Sequence, residues 1–395
     1  MAEQKCLYCG NNPVPHRLTW FNETMTVVLA PVSRRFMNGP IAGAILAPFE
    51  ALGRPIGRLA ERLGLIAYHS APSDRTNDRA KFLWEEADRR GIMMERAVVL
   101  GRDNDQYRAT IKGKRLTFSG LPRPEGYPGS AEWWMDDKGA LRRRLEAAGM
   151  PMPRGGYFSR YRPLLKLFRQ LEKPVIIKPR LGSRGRHTTT HIHTEEQLEK
   201  AFRLAKQLCH WVIMEEHLIG SVYRGTLIDG KLAGVLGGHP PRVTGDGEHT
   251  IRELIAIKNQ NRSDLIHDFI ITEYTPEFLS RTGRTLDDVL PVGETIDLTE
   301  KIGVSYGGHS FEITEETHPE TKRILEEAAA AVGDPMIGFD FIIEDIAGSP
   351  HGQKWGIIEC NGLPFINLHH DPVEGKPQNV AKRVWDFVEA NLKYY

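Results

Sequence analysis

Two short apolar runs toward the C-terminal end constrain the fold most. Gly338-Phe339-Asp340-Phe341-Ile342-Ile343-Glu344 and Trp355-Gly356-Ile357-Ile358-Glu359-Cys360-Asn361 flank a loop with Gly, Ser and Pro at residues 347–353. Such a pair predicts a β-hairpin with largely buried strands. Side chains alternate along a strand, so Asp340 stands on one face of its strand, and Glu359 and Asn361, two apart, share a face of theirs. That makes three oxygen donors on facing strands. A buried carboxylate is costly unless it is paired or coordinates a metal, and two carboxylates with an amide oxygen suit Mg²⁺ or Mn²⁺. Two surface acids at strand ends would fit the same residues.

The chain has 395 residues, which suggests two or three domains and ample material for a core. Lys and Arg total 52 against 51 Asp and Glu, a formal net charge of +1, so no overall charge steers the protein to nucleic acid or a membrane. Any anion site must be local. Four cysteines, Cys6, Cys9, Cys209 and Cys360, are too few and scattered for a disulfide framework, and no signal-peptide pattern opens the chain. A cytoplasmic protein without a transmembrane segment is expected. Ile41 to Phe49 is too short to span a bilayer, and residues 41–66 read as a helix packed on its own domain, with an interfacial helix as the alternative.

Cys6-Leu-Tyr-Cys9-Gly10 looks like half of a zinc ribbon. Four ligands are needed; His16 supplies a third, and sequence names no fourth. A pair of buried or free thiols is the other reading. From Asp78 the pattern becomes α/β, with a helix through Lys81–Arg90 stopped by Gly91, a strand at 97–100 and a ribbon at 107–118 around Lys112-Gly113-Lys114. Pro and Gly from Leu121 to Gly129 predict a linker, and a domain boundary falls near 130.

Beyond it, Gly139 to Ala148 reads as a helix with Lys138 at its positive end, against the dipole preference. Such a lysine is either a solvated surface residue or a phosphate contact. Pro174-Val-Ile-Ile-Lys178-Pro179 predicts a strand that runs into Leu181-Gly182-Ser183-Arg184-Gly185-Arg186-His187. Successive N–H groups in such a loop form an anion-binding concavity, although it is neither a Walker A nor a G-x-G-x-x-G loop. Glu215-Glu216-His217-Leu218, at the end of an apolar strand, has the character of a purine-binding hinge or of any strand end.

Lys138, Lys178-Pro179, the glycine loop, Glu215–Leu218, Asp340 and Glu359-x-Asn361 together resemble the ATP-grasp superfamily over residues 136–390, about two-thirds of the chain. Val243–Ile255, Gly293-Glu294, His318-Pro319-Glu320 and His369–Val380 are similar to segments of the ATP-grasp part of cyanophycin synthetase and of the bifunctional glutathione-synthesising enzyme. The resemblance implies an α/β ATP-grasp fold, with a pre-grasp domain at 1–135, an ATP-grasp domain at 136–395 and a lid over about 170–220. It implies a carboxylate–amine ligase with ATP and Mg²⁺ (or Mn²⁺) as cofactors, acting on small-molecule or peptide carboxylates and amines. Lys138 and Lys178 would hold the α- and β-phosphates, Gly182, Ser183 and Gly185 would close over the γ-phosphate, and Glu215, Glu216, His217 and Leu218 would contact adenine. Asp340, Glu359 and Asn361 match metal ligands. Such relatives are often oligomeric, and nothing in the resemblance calls for nucleic acid.

The departures concern the substrate end. Gly238 stands where relatives carry the Arg expected to steady an acylphosphate, leaving Arg224, Arg242 and Lys301 as replacements. Leu298–Gly308 lacks the relatives' Arg and Asn. A kinase that releases a phosphorylated small molecule, and an ATP-binding module without turnover, are the alternative functions. Gly303-Val-Ser305-Tyr-Gly307 matches G-x-S-x-G, but the following Gly308–Glu315 reads as extended chain, which argues against a nucleophile elbow. His187, His191 and His193 allow a zinc reading of their own, with exposed strand histidines as the alternative.

Overall fold

The computed structural model describes residues 6–9, 13–37, 59–124, 127–128, 134–182, 185–299 and 302–395. The expected helix over 41–66 falls mostly outside these residues, and at its far end Ile66 already opens a strand. A helix, α1 (His16–Met37), precedes a four-stranded antiparallel sheet of β1 (Ile66–His69), β2 (Met93–Val99), β3 (Arg102–Ile111) and β4 (Lys114–Ser119). Helix α2 (Asp78–Arg89) covers that sheet, its amide ends met by the Asn77 side chain at Ala80.

A second four-stranded sheet follows, over most of the span expected to form a lid. Helix α3 (Lys138–Ala147) leads to β5 (Gly155–Phe158), α4 (Tyr161–Phe168), β6 (Val175–Pro179), β7 (Thr189–Ile192), α5 (Glu195–Ala205) and β8 (Val212–Glu216), in strand order β5-β8-β6-β7. The sheet therefore begins at Gly155, earlier than the lid span read from sequence. Its core is local, with Leu164, Phe168, Val175, Ile177, Leu198, Ala201, Val212 and Met214 packed together. A reciprocal Thr194–Gln197 capping box starts α5.

The central sheet has five strands. Strands β9 (Ser221–Ile228) and β10 (Lys231–His239) are followed by a small lobe with β11 (Arg242–Thr244), α6 (Ile251–Gln260), α7 (Tyr274–Ser280) and β12 (Thr295–Asp297), which has its own apolar cluster. The chain then returns through β13 (His309–Glu312), α8 (Pro319–Val332), β14 (Met336–Ile343) and β15 (Gly356–Asn361), giving the order β13-β10-β9-β14-β15. Tyr223, Leu227, Val235, Ile337, Phe339, Phe341 and Ile343 all join one cluster with Leu325, Ala328 and Val332 of α8 and Leu141 and Leu145 of α3. The alternate residues face the other way, and that face holds the site.

Two short helices close the chain, α9 (Asn367–His370) and α10 (Val380–Ala390). Helix α10 packs on the N-terminal sheet: Val384, Trp385 and Val388 share a cluster with Leu83, Met94, Tyr107 and Phe118, and Trp385 donates to the Leu83 carbonyl at 2.9 Å. Full burial of side chains of this size contributes roughly 1.5–3 kcal/mol each. The N-terminal sheet and the last helix thus share one core.

His370 gives this junction a pH dependence. Its ring stacks on Phe82 at 4.5 Å, and Nε2 accepts the Ala381 N–H at 2.9 Å. Burial, then His369 and Arg89, hold its pKa down to about 4. Protonation would remove the acceptor. A folded-state pKa below the ordinary histidine value means the stabilisation is complete above about pH 6.5 and is lost as pH falls toward 4. The urea midpoint should fall between pH 7 and pH 5 by the equivalent of up to about 2 kcal/mol from this group. His217, also held near 4 by burial and by His191, acts in the same direction. His370→Gln should flatten the profile; an unchanged slope in that variant would contradict the assignment.

Candidate active site

The predicted hairpin forms with a register that builds the site. In β14 and β15, Asp340 lies directly opposite Glu359 and Gly338 opposite Asn361. The pairing slips between Asp340 and Phe341, which faces Ile357, so one extra residue bulges on β15. That bulge lets Ile357 sit in the core while Glu359, of the same parity, turns to the opposite face. On the other side, Asp340 pairs with Arg224 of β9. Arg224, Asp340 and Glu359 therefore form a row across three neighbouring strands, with Asn361 two residues further along.

The row is matched by oppositely charged neighbours. Arg224 grips Asp340 with two hydrogen bonds at 2.6 and 2.8 Å, its guanidinium 5.2 Å from the Phe365 ring centre. Lys138 donates to Glu359 at 3.1 Å and to the Gly182 carbonyl at 2.8 Å, tying the carboxylate row to the glycine loop. Burial pushes the Glu359 carboxyl up, but Lys138, Lys178 and Arg224 outweigh it and the net shift is downward. For Lys138, burial pulls down while Glu359, Asp136 and Glu215 pull up, and the ammonium is favoured. Both groups stay charged at neutral pH.

Lys178, on β6, makes a 2.8 Å ion pair with Glu215 of β8 and reaches the bulged Ile358 carbonyl at 3.5 Å. Glu215 is buried and also takes Arg142 at 3.1 Å. A side chain on Gly155 would run into the Glu215 backbone, so the glycine lets β5 close against it. Glu216 pairs with Arg154 at 3.4 Å and Lys354 at 3.2 Å. His217 donates its N–H to the Pro174 carbonyl at 3.0 Å, and its ring lies 4.4 Å from that of His191; Leu218 is buried. Where this hinge ends, Gly220 has φ 126° and passes so close that a Cβ would lie 2.4 Å from the Ile343 carbonyl oxygen. Only glycine fits there.

The structure thus brings together Lys138, Lys178, Gly182, Glu215, Arg224, Asp340 and Glu359. Gly185, with φ 65°, continues the loop; Ser183 and Lys301 lie outside the described residues. Arg242 is exposed on the β11–β12 ribbon and its ion pair goes to Asp297 at 2.6 Å, not to the carboxylate row. The three loop histidines do not form one cluster: His187 is buried, whereas His191 and His193 are exposed. Gly303–Gly307 forms a single 3₁₀ turn followed by β13, so no helix completes an elbow there. His369 is fully buried between Glu312 and Thr226, a core group.

Sequence reasoning missed the supports. Arg142 is buried beneath Glu215. Asp137 caps α3 at Gly139 and Ala140 and also receives Arg180 through two 2.7 Å bonds, fixing the turn that presents Lys138. Arg123 donates to the carbonyls of Met336 and Gly362 at the end of the hairpin. The acid before Lys138 is a readable N-cap signal. No local signal marks Arg142 or Arg123.

The row fits a hard divalent cation. Its donors are oxygens, and each Asp340 oxygen keeps a second lone pair while Arg224 is bound. The Asn361 side-chain nitrogen, a donor, is buried without a protein partner, so it calls for an acceptor such as a phosphate or water oxygen at the end of the row.

No family model matches the chain. It is similar to the cyanophycin synthetase of Trichormus variabilis, 33% identical over 263 residues, covering 65% of this chain and 29% of that protein. It is also similar to the glutathione biosynthesis bifunctional protein of Mannheimia succiniciproducens, 29% identical over 262 residues, covering 63% of this chain and 35% of the relative. The chain thus spans only about a third of the length of these curated relatives. Among solved structures, a bifunctional glutathione synthetase from Pasteurella multocida superposes with a TM-score of 0.58 at 23% identity, over 80% of this chain and 44% of that one. Among the described residues, no helix is long and apolar enough to cross a membrane.

Proposed function

We propose that this chain, whose fold is α/β ATP-grasp, is an ATP-dependent carboxylate–amine ligase that forms an amide or peptide bond through an acylphosphate. The observation that carries the reading is the row Arg224, Asp340, Glu359 on one sheet face, with Lys138 and Lys178 reaching it from α3 and the lid. Phosphoryl transfer needs positioning and charge neutralisation rather than a nucleophilic side chain. Asp340, Glu359 and Asn361 would hold Mg²⁺, which supplies neutralising charge when bound.

The chain's own groups do the rest. Lys138 and Lys178, now on carboxylates, are the cations for the α- and β-phosphates. The loop that begins at Gly182 and resumes at Gly185 would offer N–H groups to the γ-phosphate and shield the acylphosphate from water. The hinge at Glu215–Leu218 faces adenine through its main chain, because both glutamate side chains are engaged elsewhere. A substrate carboxylate attacks the γ-phosphorus and ADP leaves; an amine then attacks the acyl carbon and phosphate leaves.

Arg224 is the group that steadies the acylphosphate. Gly238 shares the site face, diagonal to Arg224 on neighbouring strands, and Ile302 packs over it so that a Cβ would lie 2.8 Å from the Ile302 methyl. A side chain from position 238 has no room. A cavity of about 560 Å³ lies beside the same segment, lined by Arg262, His267, Tyr274, Thr299, Ser305 and Tyr306, and is the candidate substrate pocket. The division into a pre-grasp part at 1–135 and an ATP-grasp part at 136–395 belongs to this reading.

Trapping the intermediate tests it. With ATP, Mg²⁺ and a pool of carboxylates, hydroxylamine should yield a hydroxamate, and Arg224→Met should lower the yield at least about a hundredfold. A phosphorylated small molecule stable to hydroxylamine would show a kinase instead.

A further inference from the structure

We propose that Cys6, Cys9, His16 and His187 form a tetrahedral zinc site that staples the N-terminal segment to the far end of the glycine-rich loop. One ligand atom from each of the four lies within 4.8 Å of every other. The contacts are tighter still: Cys6 Sγ to His187 Nε2 is 3.4 Å, Cys9 Sγ to His187 Nε2 3.5 Å and Cys9 Sγ to His16 Nε2 3.3 Å. With Zn–S near 2.3 Å and Zn–N near 2.0–2.1 Å, a tetrahedral ion places sulfur and nitrogen about 3.5 Å apart. The three sulfur–nitrogen pairs Cys6–His187, Cys9–His187 and Cys9–His16 stand at that spacing.

The surroundings fit as well. Residues Leu7–Cys9 form a 3₁₀ turn closed by the Cys9 N–H on the Cys6 carbonyl at 3.1 Å, which brings the two thiols of the C-x-x-C together. His187 Nδ1 lies 2.9 Å from the Leu204 carbonyl, an acceptor, so Nδ1 carries the proton and Nε2 presents its lone pair to the sulfurs. The His187 N–H also bonds the Tyr8 carbonyl at 3.1 Å, and its φ of 51° is a left-handed conformation that histidine adopts more readily than most residues. Cys9 and His187 are buried. His187 follows Gly185 by two residues, so the ion would anchor the far end of the loop whose Gly182 carbonyl accepts from Lys138. The site stands apart from the ligase reading, since none of its ligands belongs to the nucleotide machinery.

The test is metal analysis of the purified full chain, prepared and reconstituted with zinc. About one zinc ion per chain is expected, with Cys6 and Cys9 unreactive to a thiol reagent until a chelator is added. Replacement by Co²⁺ should give the intense visible bands of a tetrahedral thiolate site. Cys9→Ser should lose the metal, and His16→Cys, which keeps four good ligands, should retain it. A folded chain that takes up no zinc, with both thiols freely reactive, would overturn the proposal and leave a hydrogen-bonded thiol pair. So would metal retained undiminished in both Cys9→Ser and His187→Gln.

Discussion

Glu359→Gln is expected to lower amine-dependent phosphate release from ATP by at least about a hundredfold, the size of effect seen when one pre-organised charge-stabilising group is removed. The glutamine keeps the shape of the side chain and an oxygen for Lys138, which also donates to Gly182. It loses the negative charge that sits directly opposite Asp340. A hard cation would then have one carboxylate rather than two, and Lys138 would lose the partner that holds it charged. Circular dichroism and the urea midpoint should remain close to those of the parent. Activity within threefold of the parent, with the fold intact, would remove Glu359 from the site.

Arg142→Met should have the largest effect on stability. Its guanidinium is buried, bonded to the Pro153 carbonyl and paired with Glu215, itself among the most buried acids of the chain. Removing one partner of a buried pair leaves an uncompensated charge and costs about 3–5 kcal/mol. Lys178 stays on Glu215, so the low end of that range is expected. With Glu215 then held by Lys178 alone, the lysine is less available to phosphate, and KM for ATP should rise together with the loss of stability. Urea unfolding and ATP kinetics on the same sample check both. A loss below about 1 kcal/mol would mean that Arg142 is a surface-like residue.

The parts legible in the sequence are those written in short-range chemistry. Strand parity placed Glu359 and Asn361 on one face, and Gly182 and Gly185 take the positive φ that suits glycine. The starts of α3 and α5 do carry capping residues, Asp137 and Thr194. What sequence could not supply was the third dimension of charge: Arg224 meets Asp340 across strands β9 and β14, and Arg180 meets Asp137 across the loop that separates lid from helix. The bulge at Ile358 was invisible because one extra residue leaves no compositional trace. His187 read as one of three loop histidines, although the fold draws it back to the Cys6–Cys9 turn and leaves His191 against His217. The second sheet starts at Gly155 because Gly155 and Gly156, poor strand formers, pair on an edge where close approach matters more than propensity. Likewise, nothing local in Val380–Ala390 says that its apolar face covers the N-terminal sheet.

The ligase account stands or falls on one assay. Purified protein with ATP and Mg²⁺ would be given pools of amino acids and short peptides as carboxylates and amines, with phosphate release and new amide products followed together. The account predicts that phosphate release requires both a carboxylate and an amine and matches the amide formed. Phosphate transferred to a stable product without any amine, or tight ATP binding with no turnover across all pools, would contradict it.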